Sequence, residues 1–323
     1  MTFYEDGMRR PKTNPYYPEQ LLFFKVCKYG DPTTVKNFLN IEYRIQRKWT
    51  SIDVNAIDPF WHPYYDEHEI VHKLRVDGVG FNETAWHMAC FNENSGVLEE
   101  LLKNDNMPKT NIDSISVFGQ TPFQYACKYG HKRNVELLIK YNENIRMGHR
   151  DSKSRTAIHF AANNGHTEIV ELLLEQNIEA NPSDLAGFTP LHLACMNGHF
   201  EIVQIYCAKK TPNLSNINFN ARDPHGRTPF HYAAIHGHLK MTKLLLDINE
   251  VEKNTVDNYG FTPFLTAKNR GHTEIVRLLT EHKSFQEIVK LSTEHKPFFK
   301  RNITRSRSYS RPKDHIHSRD HSK

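Results

Sequence analysis

The sequence predicts an all-α repeat solenoid, a stack of helix-turn-helix units rather than one round core. Three observations predict it. A block recurs: Gly187-Phe188-Thr189-Pro190-Leu191-His192-Leu193-Ala194-Cys195-Met196-Asn197-Gly198-His199 returns as Gly226-Arg227-Thr228-Pro229-Phe230-His231-Tyr232-Ala233-Ala234-Ile235-His236-Gly237-His238. The threonines that mark its phase (Thr84, Thr121, Thr156, Thr189, Thr228, Thr262) are spaced by 37, 35, 33, 39 and 34 residues. Each unit also carries two short apolar stripes, such as Ile169, Val170, Leu172, Leu173 and Leu174 in its second half. Neither stripe can be hidden within one unit, so the units must stack.

Composition agrees with this. At 323 residues the chain suits two ordinary domains or one repeat array. A mean hydropathy of −0.66 excludes an integral membrane protein. No run reaches the roughly 18 to 20 apolar residues a spanning helix needs. The opening Met1-Thr2-Phe3-Tyr4-Glu5-Asp6 has neither a basic nor an apolar secretory region. Five cysteines without a CxxC pair fit a reducing compartment, so an intracellular location, cytoplasmic or nuclear, is expected.

The elements follow in order. Residues 1–19, with Pro11, Pro15, Tyr16, Tyr17 and Pro18, form an extended Pro/Tyr-rich segment. The repeat array occupies 20–283. Its first copy is degenerate: Cys27-Lys28-Tyr29-Gly30 matches Cys127-Lys128-Tyr129-Gly130, with Val35, Phe38 and Leu39 as the second stripe. Residues 59–76 are an insertion rich in aromatics in the finger between units one and two; long ordered loops are often functional, so it either packs back or meets a partner, or it only covers the end of the array. In unit two, Glu93-Asn94 replaces Gly-His, which predicts a looser junction. In each later unit the threonine caps a first helix, with Pro at its first position in four units. Gly165, Gly198 and Gly237 close it in the left-handed conformation. Ser284-Phe285-Gln286-Glu287 opens a capping helix over 284–295. Residues 296–323 form a disordered tail with nine basic and two acidic residues, a net +7. The remaining chain has 33 basic and 35 acidic residues, a net −2, so the basic pI belongs to the tail.

A period near 33 with T-P-L-H followed by A-A/C-x-x-G-H resembles the ankyrin repeat. The resemblance spans about residues 20–280. It implies β-hairpin fingers between units, such as 222–227. It also implies structural roles for two sets of histidines. His87, His159, His192 and His231 bond across neighbouring units. His131, His166, His199, His238 and His272 help close the helix turn.

The residues that could carry chemistry have structural roles in this pattern. Cys27, Cys90, Cys127 and Cys195 share a small-residue slot at helix-packing distance, about 8 to 10 Å, too far for a disulfide. Cys207 takes a leucine place. His225, His231, His236 and His238 lack a zinc-site partner set. Asp184, Asp223 and Asp257 recur before each finger turn and bond its backbone. No catalytic motif is present, so no enzyme activity and no cofactor or metal are expected.

What remains is surface. The resemblance implies a non-catalytic, monomeric adaptor or scaffold that binds a protein through finger tips and the concave face. Finger candidates are Phe118, Gln120, Lys153, Arg155, Phe188, His225, Arg227, Tyr259 and Phe261. First-helix candidates are Tyr129, Asn163, Asn164, Met196, Asn197, His236 and Arg270. Aromatic and Arg residues dominate binding hot spots. A second reading assigns RNA or importin binding to the tail through Lys300, Arg301, Arg305, Arg307, Arg311 and Lys313, with Ser306, Ser308 and Ser310 as phosphorylation candidates that would cancel its charge. A third takes the chain as part of a larger ankyrin-containing channel or enzyme.

Overall fold

The computed structural model describes residues 26–39, 83–103, 112–142, 144–208, 214 and 217–282. The segments 1–19, 59–76, 284–295 and 296–323, with the tail candidates from Lys300 to Lys313, lie outside the described residues. The chain divides into two compact units, 1–276 and 277–323.

The first unit is the repeat array. After a helical segment at 26–29 comes α1 (Pro32–Leu39), opened by Asp31, whose carboxylate accepts the amide and hydroxyl of Thr34. Helix pairs follow: α2 (Ala85–Phe91) with α3 (Ser95–Lys103), α4 (Pro122–Tyr129) with α5 (Lys132–Tyr141), and α6 (Ala157–Asn164) with α7 (Thr167–Glu175). Then come α8 (Pro190–Asn197) with α9 (Phe200–Ala208), α10 (Pro229–Ile235) with α11 (Leu239–Leu246), and α12 (Pro263–Arg270), with α13 (Thr273–Glu281) last.

The first helices α2, α4, α6, α8, α10 and α12 pack each on the next. The second helices α1, α3, α5, α7, α9 and α11 form a parallel row, and α1 packs directly on α3. Close approach needs small residues at one register, and Ala89, Ala126, Ala161, Ala194, Ala233 and Ala267 fill it, all fully buried. Larger side chains such as Trp86, Phe123, Leu98 and Leu101 fill the space between layers. Cys27, Cys90, Cys127 and Cys195 are free and buried, and burial pushes their thiols well above the ordinary range. Cys207 is free and half-buried.

Helix starts follow the threonine rule. Thr121, Thr189 and Thr262 accept the amides of Gln124, His192 and Leu265. Helix ends follow the glycine rule: Gly165, Gly198 and Gly237 have φ of 79°, 81° and 76°. The second unit begins inside α13, and its described residues carry an exposed Arg277–Glu281 ion pair at 2.8 Å.

Two expectations need correction. The fingers close as tight turns, and no strand runs through them among the described residues. Each turn holds two backbone bonds between its base residue and its return, and the paired segment ends there. The junction between units one and two is not loose. Asn92 is buried and its amide donates to the carbonyls of Cys27 (3.1 Å) and Gly30 (3.0 Å), so a side-chain amide does there what histidines do later.

Candidate functional site

The exposed site is a row of fingers, and four of the five described fingers are built on one aspartate. The carboxylate of Asp151 accepts the amides of Lys153 and Arg155, at 2.9 and 2.8 Å. Asp184, Asp223 and Asp257 accept amides at the matching positions of their own turns. The role expected for these carboxylates is the one they have. In the first finger Ser116 Oγ accepts the Gln120 amide at 3.3 Å instead. Two backbone bonds close each turn: the amides of Ser116, Asp151, Asp184, Asp223 and Asp257 donate to the carbonyl four residues on, and the amides of Gly119, Ser154, Gly187, Gly226 and Gly260 donate back to the base carbonyl. Glycine takes the left-handed position in four turns (Gly119, Gly187, Gly226, Gly260), and Ser154 takes it in the fifth at φ 57°.

Neighbouring fingers are tied to one another. Ser152 donates to the Phe118 carbonyl (3.0 Å), Leu185 to Lys153 (2.9 Å) and Asn258 to His225 (2.8 Å). Pro224 occupies the donor position of the remaining junction and has no N–H, so that bond cannot form.

Histidines lock the fingers to the helices. In His87, His159, His192 and His231 the Nδ1 accepts the amide of the capping threonine. That makes the ring a neutral Nε2–H tautomer. Nε2 then donates to a carbonyl of the next finger: Gln120, Phe188, Arg227 or Phe261, at 3.0 to 3.1 Å. Burial pulls His87, His159 and His192 down to about 4, and also lowers His231. Gln124 stands in for the missing histidine of unit three: its Oε1 accepts the Thr121 amide, and its Nε2 donates to the carbonyls of His149 and Arg155.

The turn histidines also cross between units, which corrects their expected local role. His131, His166, His199, His238 and His272 reach back to the carbonyls of Phe91, Lys128, Asn163, Met196 and Ile235, at 2.8 to 3.2 Å. These are carbonyls at first-helix ends, which have no partner within the helix.

The sequence-predicted contact residues fall into three groups. Gln120 is buried, with its amide on the Asp151 carboxylate, so it is withdrawn from the surface. Arg155 and Arg227 are half-buried: Arg155 pairs with Asp151 at 2.8 Å and covers the Phe160 ring, while Arg227 pairs with Asp257 at 3.3 Å and lies over Tyr259. Phe188 packs its ring against His192 and Tyr232, and Phe261 bonds its amide to Asp257. Their contacts are within the array. Asn163, Asn164 and Asn197 take part in a polar ladder, with Asn164 donating to Lys128 and Asn197 to Asn163. Met196 lends its carbonyl to His238. The third group faces outward: Phe118, Lys153, His236, Tyr259 and Arg270 are exposed, and His225 is half-exposed with its Nδ1 at 3.0 Å from the Tyr259 hydroxyl. Tyr129 is half-exposed among Phe91, Tyr125 and His131.

Sequence reasoning missed Tyr29, Ile115, Leu185 and Val256, all exposed apolar residues. The last three sit one residue before or after the finger-base residue (Ser116, Asp184, Asp257). That offset was a readable signal, since the base side chain turns inward and its neighbours must turn out.

Comparison with known proteins follows the same geometry. The family model for ankyrin repeats matches three times, over residues 61–151, 143–223 and 206–290. The Notch-regulated ankyrin repeat-containing protein of Xenopus laevis is 36% identical over 83 residues, 26% of this chain and 71% of that protein. The E3 ubiquitin-protein ligase XBAT33 of Arabidopsis thaliana is 33% identical over 98 residues, and Rabankyrin-5 of Mus musculus is 34% identical over 70. These cover 30% and 21% of this chain but only 18% and 6% of those proteins, so the chain spans a small part of their length. With three consecutive matches spanning most of its length and the repeat geometry described above, the chain belongs to the ankyrin-repeat family.

Proposed function

We propose that the protein is a non-catalytic adaptor that binds a partner protein through its finger tips and first-helix face. Ankyrin repeats generally mediate protein–protein interaction and are typically non-catalytic. The observation that carries the reading is where side-chain variety sits. Buried positions repeat the same threonines, alanines, histidines and aspartates, while the outward finger positions hold Ile115, Phe118, Arg150, Lys153, Leu185, Val256 and Tyr259. The scaffold holds these side chains in place before a partner arrives, so little ordering entropy is lost on association.

A paired affinity capture tests this. The full chain is compared with a finger variant (Phe118→Ser, Lys153→Glu, Tyr259→Ser) and with a second-helix variant (Glu171→Lys, Lys240→Glu). The reading expects a protein bound by the full chain and the second-helix variant and lost from the finger variant. Retention on the finger variant overturns it.

A further inference from the structure

Three successive finger tips carry an ordered chemistry: apolar, basic, apolar. On the first, Ile115 is 50% and Phe118 41% exposed. On the second, the same two positions hold Arg150 and Lys153, both exposed. On the third, those two positions hold Ser183 and Ala186, and the apolar surface comes from Leu185, one residue after the base and 71% exposed. The fingers are held side by side by the Ser152–Phe118 and Leu185–Lys153 backbone bonds.

The basic finger is not neutralised from within. Asp151 and Asp184 are turned inward and spent on their own turns. The Lys153 ammonium has no ion-pair partner among the described residues. Arg150 pairs with Glu179 at 3.3 Å, an exposed and weak pair, and it donates to the carbonyls of Ser183 (2.8 Å) and Ser154 (3.3 Å), which hold the guanidinium in place without neutralising its charge. A carboxylate arriving from outside therefore meets positive charge flanked by apolar surface.

Spacing fixes what can lie across it. Each finger contributes two chain widths of about 4.8 Å, so tips repeat at roughly 10 Å. An extended chain advances about 3.3 Å per residue, so one finger corresponds to about three residues.

We propose that this three-finger row binds an extended acidic segment of a partner protein. Asp or Glu sits at Arg150 and Lys153, and an apolar side chain about three residues to either side sits on Ile115/Phe118 and on Leu185. The inference rests on the finger row being the partner-binding surface. The direction of the segment is left free, because the chemical pattern is symmetric.

A random twelve-residue peptide library displayed on phage, panned against the full chain, tests it. Enriched peptides are expected to carry a central acid with apolar residues about three positions away. Their affinity should fall about tenfold or more in Lys153→Glu and in Leu185→Ser, each checked for an unchanged melting temperature. Panning on Lys153→Glu should move the central residue to Lys or Arg. Enriched peptides without a central acid, displaced by Tyr259→Ser instead, would overturn the motif but leave finger binding standing. Peptides indifferent to every finger substitution, or no enrichment at all, would overturn both.

Discussion

Each buried imidazole of the T-P-L-H position bridges two backbone groups and is kept neutral by burial, and this makes stability depend on pH. Nδ1 must accept from threonine, so the folded state resists protonation, and burial lowers His87, His159 and His192 to about 4. The unfolded chain titrates near 6.5. Between those values the unfolded state binds protons that the folded state does not, so stability is full above pH 6.5 and is lost as pH falls toward 4. Each such histidine contributes up to about 1.4 kcal/mol per pH unit across that window. Melting temperatures at pH 7.5, 6.0 and 5.0 are expected to fall steadily; a flat profile would refute the burial of these rings as neutral imidazoles. Gly198 shows a second kind of constraint. It sits at φ 81°, and a Cβ there would meet the His238 ring at 2.7 Å. Gly198→Ala is expected to cost more than about 1 kcal/mol, measured by urea unfolding. The repeat phase made these roles legible in the sequence. It did not show that Gln120 is buried, because its amide lies on the Asp151 carboxylate of the next finger, a contact 31 residues away in sequence.

The finger is the element on which the account depends, and its integrity rests on one carboxylate. Asp223 accepts two backbone amides and the Tyr232 hydroxyl, the last at 2.6 Å. Asp223→Ala leaves these donors without their acceptor and is expected to destabilise by about 1 to 3 kcal/mol for each group that stays buried. Calorimetry against Asp223→Asn, which keeps an acceptor oxygen, separates the lost bonds from the lost charge; equal losses in the two variants would assign the effect to charge. Helices were legible because capping threonine, first-position proline and closing glycine recur through most of the units. The fingers were less so. The sequence suggested strands, but about five residues between base and return leave space for a turn and little else. The asparagine bridge at Asn92 was also hidden, since its value comes from carbonyls of a unit more than 60 residues earlier.

At the level of the whole chain, the stack makes neighbouring units mutually dependent. Leu101 is fully buried in α3, and α3 packs on both α1 and α5. Leu101→Ala is expected to cost about 2 to 5 kcal/mol. Nearest-neighbour coupling should spread that loss across adjoining units. Hydrogen exchange in this variant should show lost protection in α1 and α5 as well as α3, and loss confined to α3 would argue against coupling. The array was the most legible feature of all, because a 33-residue period is visible without any structure. The partner was not legible, since binding residues are the ones that escape the repeat.

The most direct measurement is amide hydrogen exchange of the full chain with and without a protein recovered by the affinity capture. The account predicts new protection in the finger turns 114–120, 150–155 and 183–188, with the second helices α7 and α9 unchanged. Protection that falls on α7 and α9 and spares the fingers would contradict it.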